Sequence, residues 1–374
     1  MKKILFFVES LHCGGAEKSL LSLLNNMDYT DYDIKLMVFK KGGEFEKFVP
    51  KHIKIESVNY KAGVVERLKF KLFKLADIKN KNHNAQLFWQ SVKNKLPKKE
   101  EYYDIAISWG QGFATYYVSQ KINADKKLAW VNIDYQKAGY NWKEDLYKYQ
   151  EFDTVVGVSD FVKESMQKFL PQDKVIAIRN IIDPDEIRTR GKHSKSIEFN
   201  NNQINIISVG RLAKQKGFEL AIRAMKILQN GGYKAHLYII GEGQEREFLE
   251  NEIEIANIQH NCTLLGFREN PYPYMNDCDI YLQSSWFEGL GRTIIEAGLL
   301  SKPIVTTNFP TAASILTHEK TGLIVEMNPE AIATGLKRII DDKKFKELLI
   351  SNLNKQDDKE KAKTLTAVYK LFNA

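Results

Sequence analysis

NIISVGRLAKQKGFELAIRAMKILQN, residues 205–230, reads in three pieces. "NIISV" is a short apolar run. Gly210 to Gly217 is a glycine-bounded turn that carries Arg211 and Lys216. "FELAIRAMKILQN" repeats apolar residues at three- and four-residue intervals, the period of a helix with one buried face. The same alternation recurs outward in both directions. Upstream, "KILFFV", "DIKLMVF", "DIAISW", "KLAWVN", "TVVGVS" and "KVIAIRN" read as buried strands. Downstream, "HLYIIG", "CTLLGF", "IYLQSS", "PIVTTN" and "GLIVE" complete a second set. Segments such as "AEKSLLSLLNNM" and "PEAIATGLKRIIDD" lie between them with helical spacing. Such a chain is α/β, with parallel sheets covered by helices on both faces. Two sets of about six strands predict two Rossmann-like, doubly wound domains, 1–183 and 204–357. The polar stretch "DPDEIRTRGKHSKSIEFNNNQ", 183–203, has no apolar period and is expected to be the joint. Ligands of open parallel sheets bind at the carboxyl ends of the strands, so a cleft between two facing sheets is the expected site.

Composition narrows the function. Of 374 residues, 43% are hydrophobic and 11% aromatic, which is the make-up of a globular chain. Three cysteines, Cys13, Cys262 and Cys278, form no CxxC pair. That argues for a reducing compartment and against a disulfide or zinc framework. The N-terminus has too short an apolar core for a signal peptide and reads as a first strand, Ile4 to Val8. No stretch approaches the roughly 18 apolar residues of a membrane-spanning helix. A cytoplasmic location is expected, with peripheral attachment to the inner face of the membrane as its variant. The formal charge is +8, and it is unevenly spread. Lys61 to Glu100 holds eleven Lys/Arg against three Asp/Glu, 11 − 3 = +8, so the whole excess sits in that window.

Three glycine-rich strand ends offer backbone N–H groups at a helix N-terminus, a setting for anions. They are "SLHCGGAEKSL" with Gly14 and Gly15, "SVGRLAKQKGFELAI" with Gly210, and "SSWFEGLGRTIIEAG". Neither GxGxxG nor the Walker pattern is complete, which disfavours a dinucleotide dehydrogenase and a P-loop NTPase. Arg211 follows its strand directly, and Lys216 stands at a helix start, where the dipole disfavours a cation. Both suit a diphosphate, Arg by its fork and Lys as a point charge. In the third segment the amides of Leu290, Gly291 and Arg292 can face a phosphate, with the helix expected to begin at Thr293. Glu288 and Glu296 then flank it. A carboxylate accepts hydrogen bonds from neighbouring hydroxyls, so its partner is a sugar. A diphosphate between two sugars, a nucleoside diphosphate sugar, fits both halves of the pattern.

Glu288 and Glu296 form an E-x7-E pair, and with it the chain resembles the retaining glycosyltransferases of the GT-B fold, family 4. The resemblance runs almost end to end, through "GGAEKSL", "VSDFVKESM", "RNIID", "SVGRLAKQKGFE", "IIGEGQEREFLE", "LLGFREN" and "DIYLQSSWFEGLGRTIIEAGLLSKPIVTTN". It implies that Arg211 and Lys216 grip the donor diphosphate, that Glu288 orients the transferring hexose and that Glu296 binds the ribose. The backbone near Gly266, Phe267 and Arg268 would meet the base. Gly14 and Gly15 would let the N-terminal domain approach phosphates and acceptor. The terminal segment, 358–374, would return to pack on the N-terminal domain. The donor is expected to be UDP-linked, and the acceptor a bacterial surface glycan, lipid-linked in one variant. A non-catalytic sugar-nucleotide-binding subunit is the alternative.

One position departs from the resemblance. Many relatives carry histidine where "AWVNIDYQ" has Asn132, which exchanges hydrogen bonds but is no acid or base near neutral pH. Asp134 is close by, and His12 reads as a loop residue. Asp277-Cys278-Asp279 is a D-x-D, a metal-binding pattern in another glycosyltransferase fold. Here it spans a helix end and a strand start, so a turn and capping role is expected, with no metal. No cofactor is expected beyond the donor substrate. The basic window, with "VVERLKFKLFKLADIKNK" and "LFWQSVKNKLPKK", interleaves Lys and Arg with apolar residues. It suggests an anionic membrane surface as partner, with Phe70, Phe73, Phe88 and Trp89 as its apolar component, and no nucleic acid.

Overall fold

The computed structural model describes residues 1–12, 14–77, 81–193, 199–355 and 359–374. Cys13 and parts of the expected joint and of the 356–358 boundary lie outside them. The chain divides into two compact units, Met1–Ile181 with Glu360–Ala374, and Ile182–Lys359.

The first unit holds seven strands: β1 (Lys2–Ser10), β2 (Tyr32–Lys40), β3 (Ile55–Ser57), β4 (Tyr102–Trp109), β5 (Asn123–Val131), β6 (Thr154–Gly157) and β7 (Val175–Ala177). They form one parallel sheet in the order β3-β2-β1-β4-β5-β6-β7. The second unit holds β8 (Ile204–Val209), β9 (Ala235–Ile240), β10 (Cys262–Gly266), β11 (Ile280–Gln283), β12 (Ile304–Thr307) and β13 (Leu323–Val325). Their parallel order is β10-β9-β8-β11-β12-β13. In each sheet the order runs one way and then reverses, so switch points lie between β1 and β4 and between β8 and β11. The central strands are apolar on both faces. Ile206, Ile207, Ile239, Leu282 and Val305 are fully buried.

Helices fall where apolar spacing places them. Phe218–Asn230 buries Phe218, Ala221, Ile222, Met225 and Leu228 on one face. Its N-cap, Gly217, has φ +57°, and a Cβ there would meet the Ser284 carbonyl oxygen at 2.2 Å. Only glycine fits. In the first unit, α1 (Gly15–Asn26) follows β1, α2 (Val64–Ala76) and α3 (Asn84–Val92) lie in turn between β3 and β4, and α4 (Phe113–Lys121) follows β4.

Two details differ from the sequence reading. The strand β3 is a three-residue edge, paired to β2 at Leu36, Met37 and Val38, too short to carry an apolar run. The stretch 183–203 is not all linker. Pro184–Gly191 is a helix within the second unit, capped by Asp183, whose carboxylate accepts from Asp185 N at 3.1 Å. Asp before Pro is a start signal that an absent apolar period concealed. The helix Glu360–Asn373 lies on the first unit, where Tyr369 stacks on Tyr32 and Lys2 Nζ donates to Phe372 O at 2.9 Å.

Candidate functional site

In the second unit the expected residues gather at the switch point. After β8 the chain turns through Gly210 and Arg211, makes one tight turn at Lys214–Lys216 and enters the helix at Phe218. After β11 it runs through Ser284 to Gly291 and enters the helix Arg292–Leu299. That helix begins one residue before the expected Thr293. Gly291 caps it at φ +69°. A Cβ there would press on Ile315 at 2.7 Å. The two turns are stitched together. Trp286 N donates to Gln215 O at 2.8 Å and Ser284 Oγ to Lys216 O at 3.1 Å.

That stitching sets Lys216 against Glu288. Lys216 Nζ lies 2.6 Å from Glu288 Oε1, in a pair that is mostly buried. The same oxygen accepts from Ser285 Oγ at 2.7 Å and Gln283 Nε2 at 2.8 Å. Gln283 is itself oriented, because its Oε1 accepts from Thr293 Oγ1 at 2.9 Å and Tyr281 OH at 3.0 Å. Burial raises the Tyr281 phenol above its usual range, so it remains a donor. Glu288 is thus a fixed carboxylate with one crowded oxygen. Lys216 retains two further N–H donors, since an ammonium has three. Arg211 is exposed, and its guanidinium has no partner among the described residues.

Glu296 takes a more enclosed position than expected. It is 1% exposed. Arg292 Nε, one helical turn back, donates to its Oε1 at 2.8 Å, and Tyr272 OH donates to the same atom at 3.0 Å. Burial and the Glu296 charge push the Tyr272 phenol well above its ordinary range, so it too remains a donor. The Arg190 guanidinium lies over the Tyr272 ring, 5.3 Å from its centre. The sequence reading gave Arg292 only a backbone role. Its side chain instead fixes Glu296.

Phe267 and Arg268 follow β10, two strands from β8 on the same carboxyl edge. Arg268 Nη1 donates to Phe267 O at 3.1 Å, while its buried Nε has no partner among the described residues.

The first unit holds the remaining expected residues. Gly14 caps α1, and a Cβ at Gly15 would meet nothing within 4 Å, so packing does not require glycine there. Asn132 ends β5. Its Oδ1 accepts from Asn180 Nδ2 at 3.0 Å, and its N–H donates to Gln111 Oε1 at 3.1 Å. Asn132 Nδ2 and Asn180 Oδ1 are buried without partners among the described residues. Asn180 was not singled out by its residue type, since an asparagine after a short strand reads as a turn. Asp134 caps its own turn, accepting from Gln136 N and Lys137 N at 3.1 Å. His12 is a loop residue paired with Glu44 at 3.0 Å.

Asp279 sits at the other edge of the second sheet. Its Oδ2 accepts from Asn205 N at 2.9 Å, joining the starts of β8 and β11. A cavity of about 680 Å³ lies at that edge, lined in part by Asp277, Asp279, Asn205 and Lys234. None of the residues expected to hold the donor lines it. Among the described residues no three His, Cys, Asp or Glu side chains are grouped to hold a metal ion.

The chain is similar to known glycosyltransferases. The family described as Glycosyl transferases group 1 matches residues 189–356. An uncharacterized glycosyltransferase, MJ1607, of Methanocaldococcus jannaschii is 32% identical over 235 residues, 58% of this chain and 60% of that protein. The N-acetylgalactosamine-N,N'-diacetylbacillosaminyl-diphospho-undecaprenol 4-alpha-N-acetylgalactosaminyltransferase of Campylobacter jejuni is 35% identical over 144 residues. That match spans 38% of this chain and 39% of the relative. Among solved structures, Anabaena Alr3699/HepE in complex with UDP and glucose superposes with a TM-score of 0.75 at 17% identity, covering 100% of both chains. The two doubly wound units are of the GT-B fold class.

Proposed function

We propose that the chain, whose residues 189–356 match the glycosyl transferases of group 1, is a retaining, metal-independent glycosyltransferase. It moves a hexose or N-acetylhexosamine from a UDP-linked donor to a glycan acceptor in the synthesis of a surface polysaccharide, lipopolysaccharide or glycoconjugate. The observation that carries this reading is the Lys216–Glu288 pair, which joins the β8 and β11 turns at one switch point. A cation and a carboxylate side by side there match a ligand with a charged diphosphate next to a neutral sugar.

In this reading Arg211 and Lys216 hold the diphosphate, aided by the amides of Leu290, Gly291 and Arg292 at a helix N-terminus. Glu288 orients the hexose hydroxyls. Glu296, fixed by Arg292 and Tyr272, faces the ribose, and the backbone at Phe267 and Arg268 meets the base. Gly14 and Gly15 leave room for phosphate and acceptor. Attack comes from the face the leaving group departs, and the departing β-phosphate oxygen takes the acceptor proton. Asn132 supplies a hydrogen bond and no proton transfer. Catalysis is then positioning and stabilisation of the leaving charge. Loss of one such charge contact costs on the order of 3 kcal/mol of barrier, about a hundredfold in rate. The polyprenyl-diphosphate acceptor in the Campylobacter relative's name supports a lipid-linked acceptor at the inner face of the membrane.

The test is a screen of UDP- and GDP-sugars for hydrolysis and for protection against heat, repeated with excess EDTA. Donor hydrolysis that survives chelation is the expected result. Binding without turnover on any acceptor or water would favour the non-catalytic subunit, for which Asn132 is the supporting observation. Loss of activity restored by Mn²⁺ would end the metal-independent reading.

A further inference from the structure

Of the thirteen large apolar side chains exposed among the described residues, five lie on one helix, α2. Val64 is 83% exposed, Val65 60%, Leu68 56%, Leu72 54% and Leu75 72%. No residue of α2 is buried.

The helix has two apolar faces with different fates. At 3.6 residues per turn, Val64, Leu75, Leu68, Leu72 and Val65 share an arc of roughly 100°. Phe70 and Phe73 fall on the opposite side and are half-buried. Phe70 meets Phe88 of α3 edge-on at 5.9 Å, and Phe88 in turn meets Phe39 and Phe113. Trp89 is fully buried. The phenylalanines and the tryptophan expected to form an outward apolar component therefore face the protein. The outward stripe is aliphatic, and α3 leaves it uncovered.

The charges choose the occupant. Lys71, Arg67 and Lys74 border the stripe on one side and Lys69 on the other, and all four are exposed. Against them α2 carries only Glu66. Pairing this face with a second copy would bring like charges together. Long cationic stems flanking an aliphatic arc suit a surface that is apolar inside and anionic at its rim. Among the described residues no helix is long and apolar enough to cross a membrane, so the contact lies in the plane of the surface.

We propose that α2 is the element by which this chain docks on an anionic lipid bilayer. Val64, Leu68, Leu72 and Leu75 enter the acyl boundary, and Arg67, Lys69, Lys71 and Lys74 meet the headgroups. This deepens the lipid-linked reading of the acceptor, because it brings the unit carrying Gly14, Gly15 and Asn132 to the surface where such an acceptor resides.

The experiment is sedimentation of the full chain with vesicles of phosphatidylcholine alone, or mixed with phosphatidylglycerol. It is run at low salt and at about 1 M, where the screening length is about 3 Å. Wild type is expected to bind the mixed vesicles, to bind the neutral ones only weakly and to be only partly released by salt. Lys69→Glu, Lys71→Glu and Lys74→Glu together lower partitioning on the order of tenfold or more. Leu68→Ser, Leu72→Ser and Leu75→Ser together abolish the salt-resistant part. Both variants keep the wild-type melting temperature, since every changed side chain is exposed, and that readout separates docking from misfolding. Wild type left in the supernatant with mixed vesicles overturns the proposal, as does a serine variant that binds like wild type. A dimer in light scattering that the serine variant dissolves would assign the stripe to a second copy and also overturn it. UDP titration is independent of these readouts, so failure of the donor reading is seen separately.

Discussion

Two lysine–carboxylate pairs of nearly equal length sit in the two units and serve opposite ends. Lys148 and Asp145 in the first are 2.7 Å apart, and Lys216 and Glu288 in the second are 2.6 Å apart. Asp145 is fully buried and saturated. Its Oδ1 takes Lys148. Its Oδ2 takes Gln86 Nε2 at 2.7 Å, Tyr116 OH at 2.6 Å and the Tyr135 hydroxyl. Lys148 also donates to Glu144 O at 2.8 Å and lies over the Tyr116 ring. Every partner belongs to the fold. Glu288 has three donors on Oε1 and none on Oε2 among the described residues, with unpaired Arg211 on the neighbouring turn. Identical chemistry is closed in one place and open in the other. Closure marks a device for folding, whereas the partly satisfied pair at a strand's carboxyl end is the one we propose serves a ligand.

The largest effect should come from breaking the closed pair. Asp145→Ala leaves a buried ammonium, an amide and two phenols without their acceptor. The expected cost is about 3–5 kcal/mol of stability, read as a lower denaturant midpoint. A midpoint equal to wild type would show that the cluster is not a stabilising unit, and the contrast with Glu288 would collapse.

Next comes the open pair. Lys216→Ala should lower kcat/KM for donor hydrolysis about a hundredfold while moving the midpoint far less than Asp145→Ala does, because Ser285 and Gln283 still hold Glu288. Arg211→Ala should weaken UDP binding with no stability change, since its side chain has no partner to lose. Unchanged UDP titration by both variants would remove the diphosphate assignment.

How much of this could be read from residues alone follows from the range of the interactions. Twelve of the strands announced themselves because buried parallel strands are continuous apolar runs, and the runs were local. Gly210, Lys216, Glu288 and Glu296 were legible because glycine turns and charged residues at helix starts are local too. What escaped was relational. Arg292 closes on Glu296 through a side chain to which the sequence reading gave no part, since it used only the Arg292 amide. Asp145 gathers Gln86 from 59 positions away, and no spacing rule links them. On α2, which apolar face α3 covers is decided by tertiary packing, so Phe70, together with Phe88 of α3, faces the protein instead of joining the apolar component expected for a membrane.

A smaller effect should come from the amide pair at the end of β5 and after β7. Turning both amides over exchanges oxygen for nitrogen but still leaves one donor and one acceptor unused. A substrate hydroxyl that reached this buried pair would satisfy both at once. Asn132→Ala and Asn180→Ala should each cost about 1 kcal/mol in kcat/KM, a factor of about five. The double variant should cost little more than either, since each removes the same two-sided contact. Additive losses would mean that the two asparagines act separately and that no hydroxyl bridges them.

The smallest effect returns to the closed cluster through its neighbour. His83 caps α3, its Nδ1 accepting from Ala85 N at 3.1 Å, and its ring stacks on Tyr140. Burial lowers its pKa below the ordinary value, and the nearby charge of Asp145 opposes this only in part. The folded state therefore holds the ring neutral, with Nδ1 as an acceptor, a role the protonated ring cannot fill. Near pH 6 the unfolded chain binds more protons than the folded one, so this contribution is complete above about pH 6.5 and is lost progressively as the pH falls from there through the lowered folded-state value. His236 on β9 is shifted the same way by burial and adds to the trend. His83→Asn keeps an acceptor at the cap and removes the titration. Between about pH 7.5 and 5.5 the wild-type midpoint should fall, and the variant's should fall less, keeping the share that His236 contributes. Parallel curves for the two proteins would show that the cap does not titrate in this range. A steeper fall for His83→Asn on the background of Asp145→Asn than on wild type would instead point to other groups around the cluster.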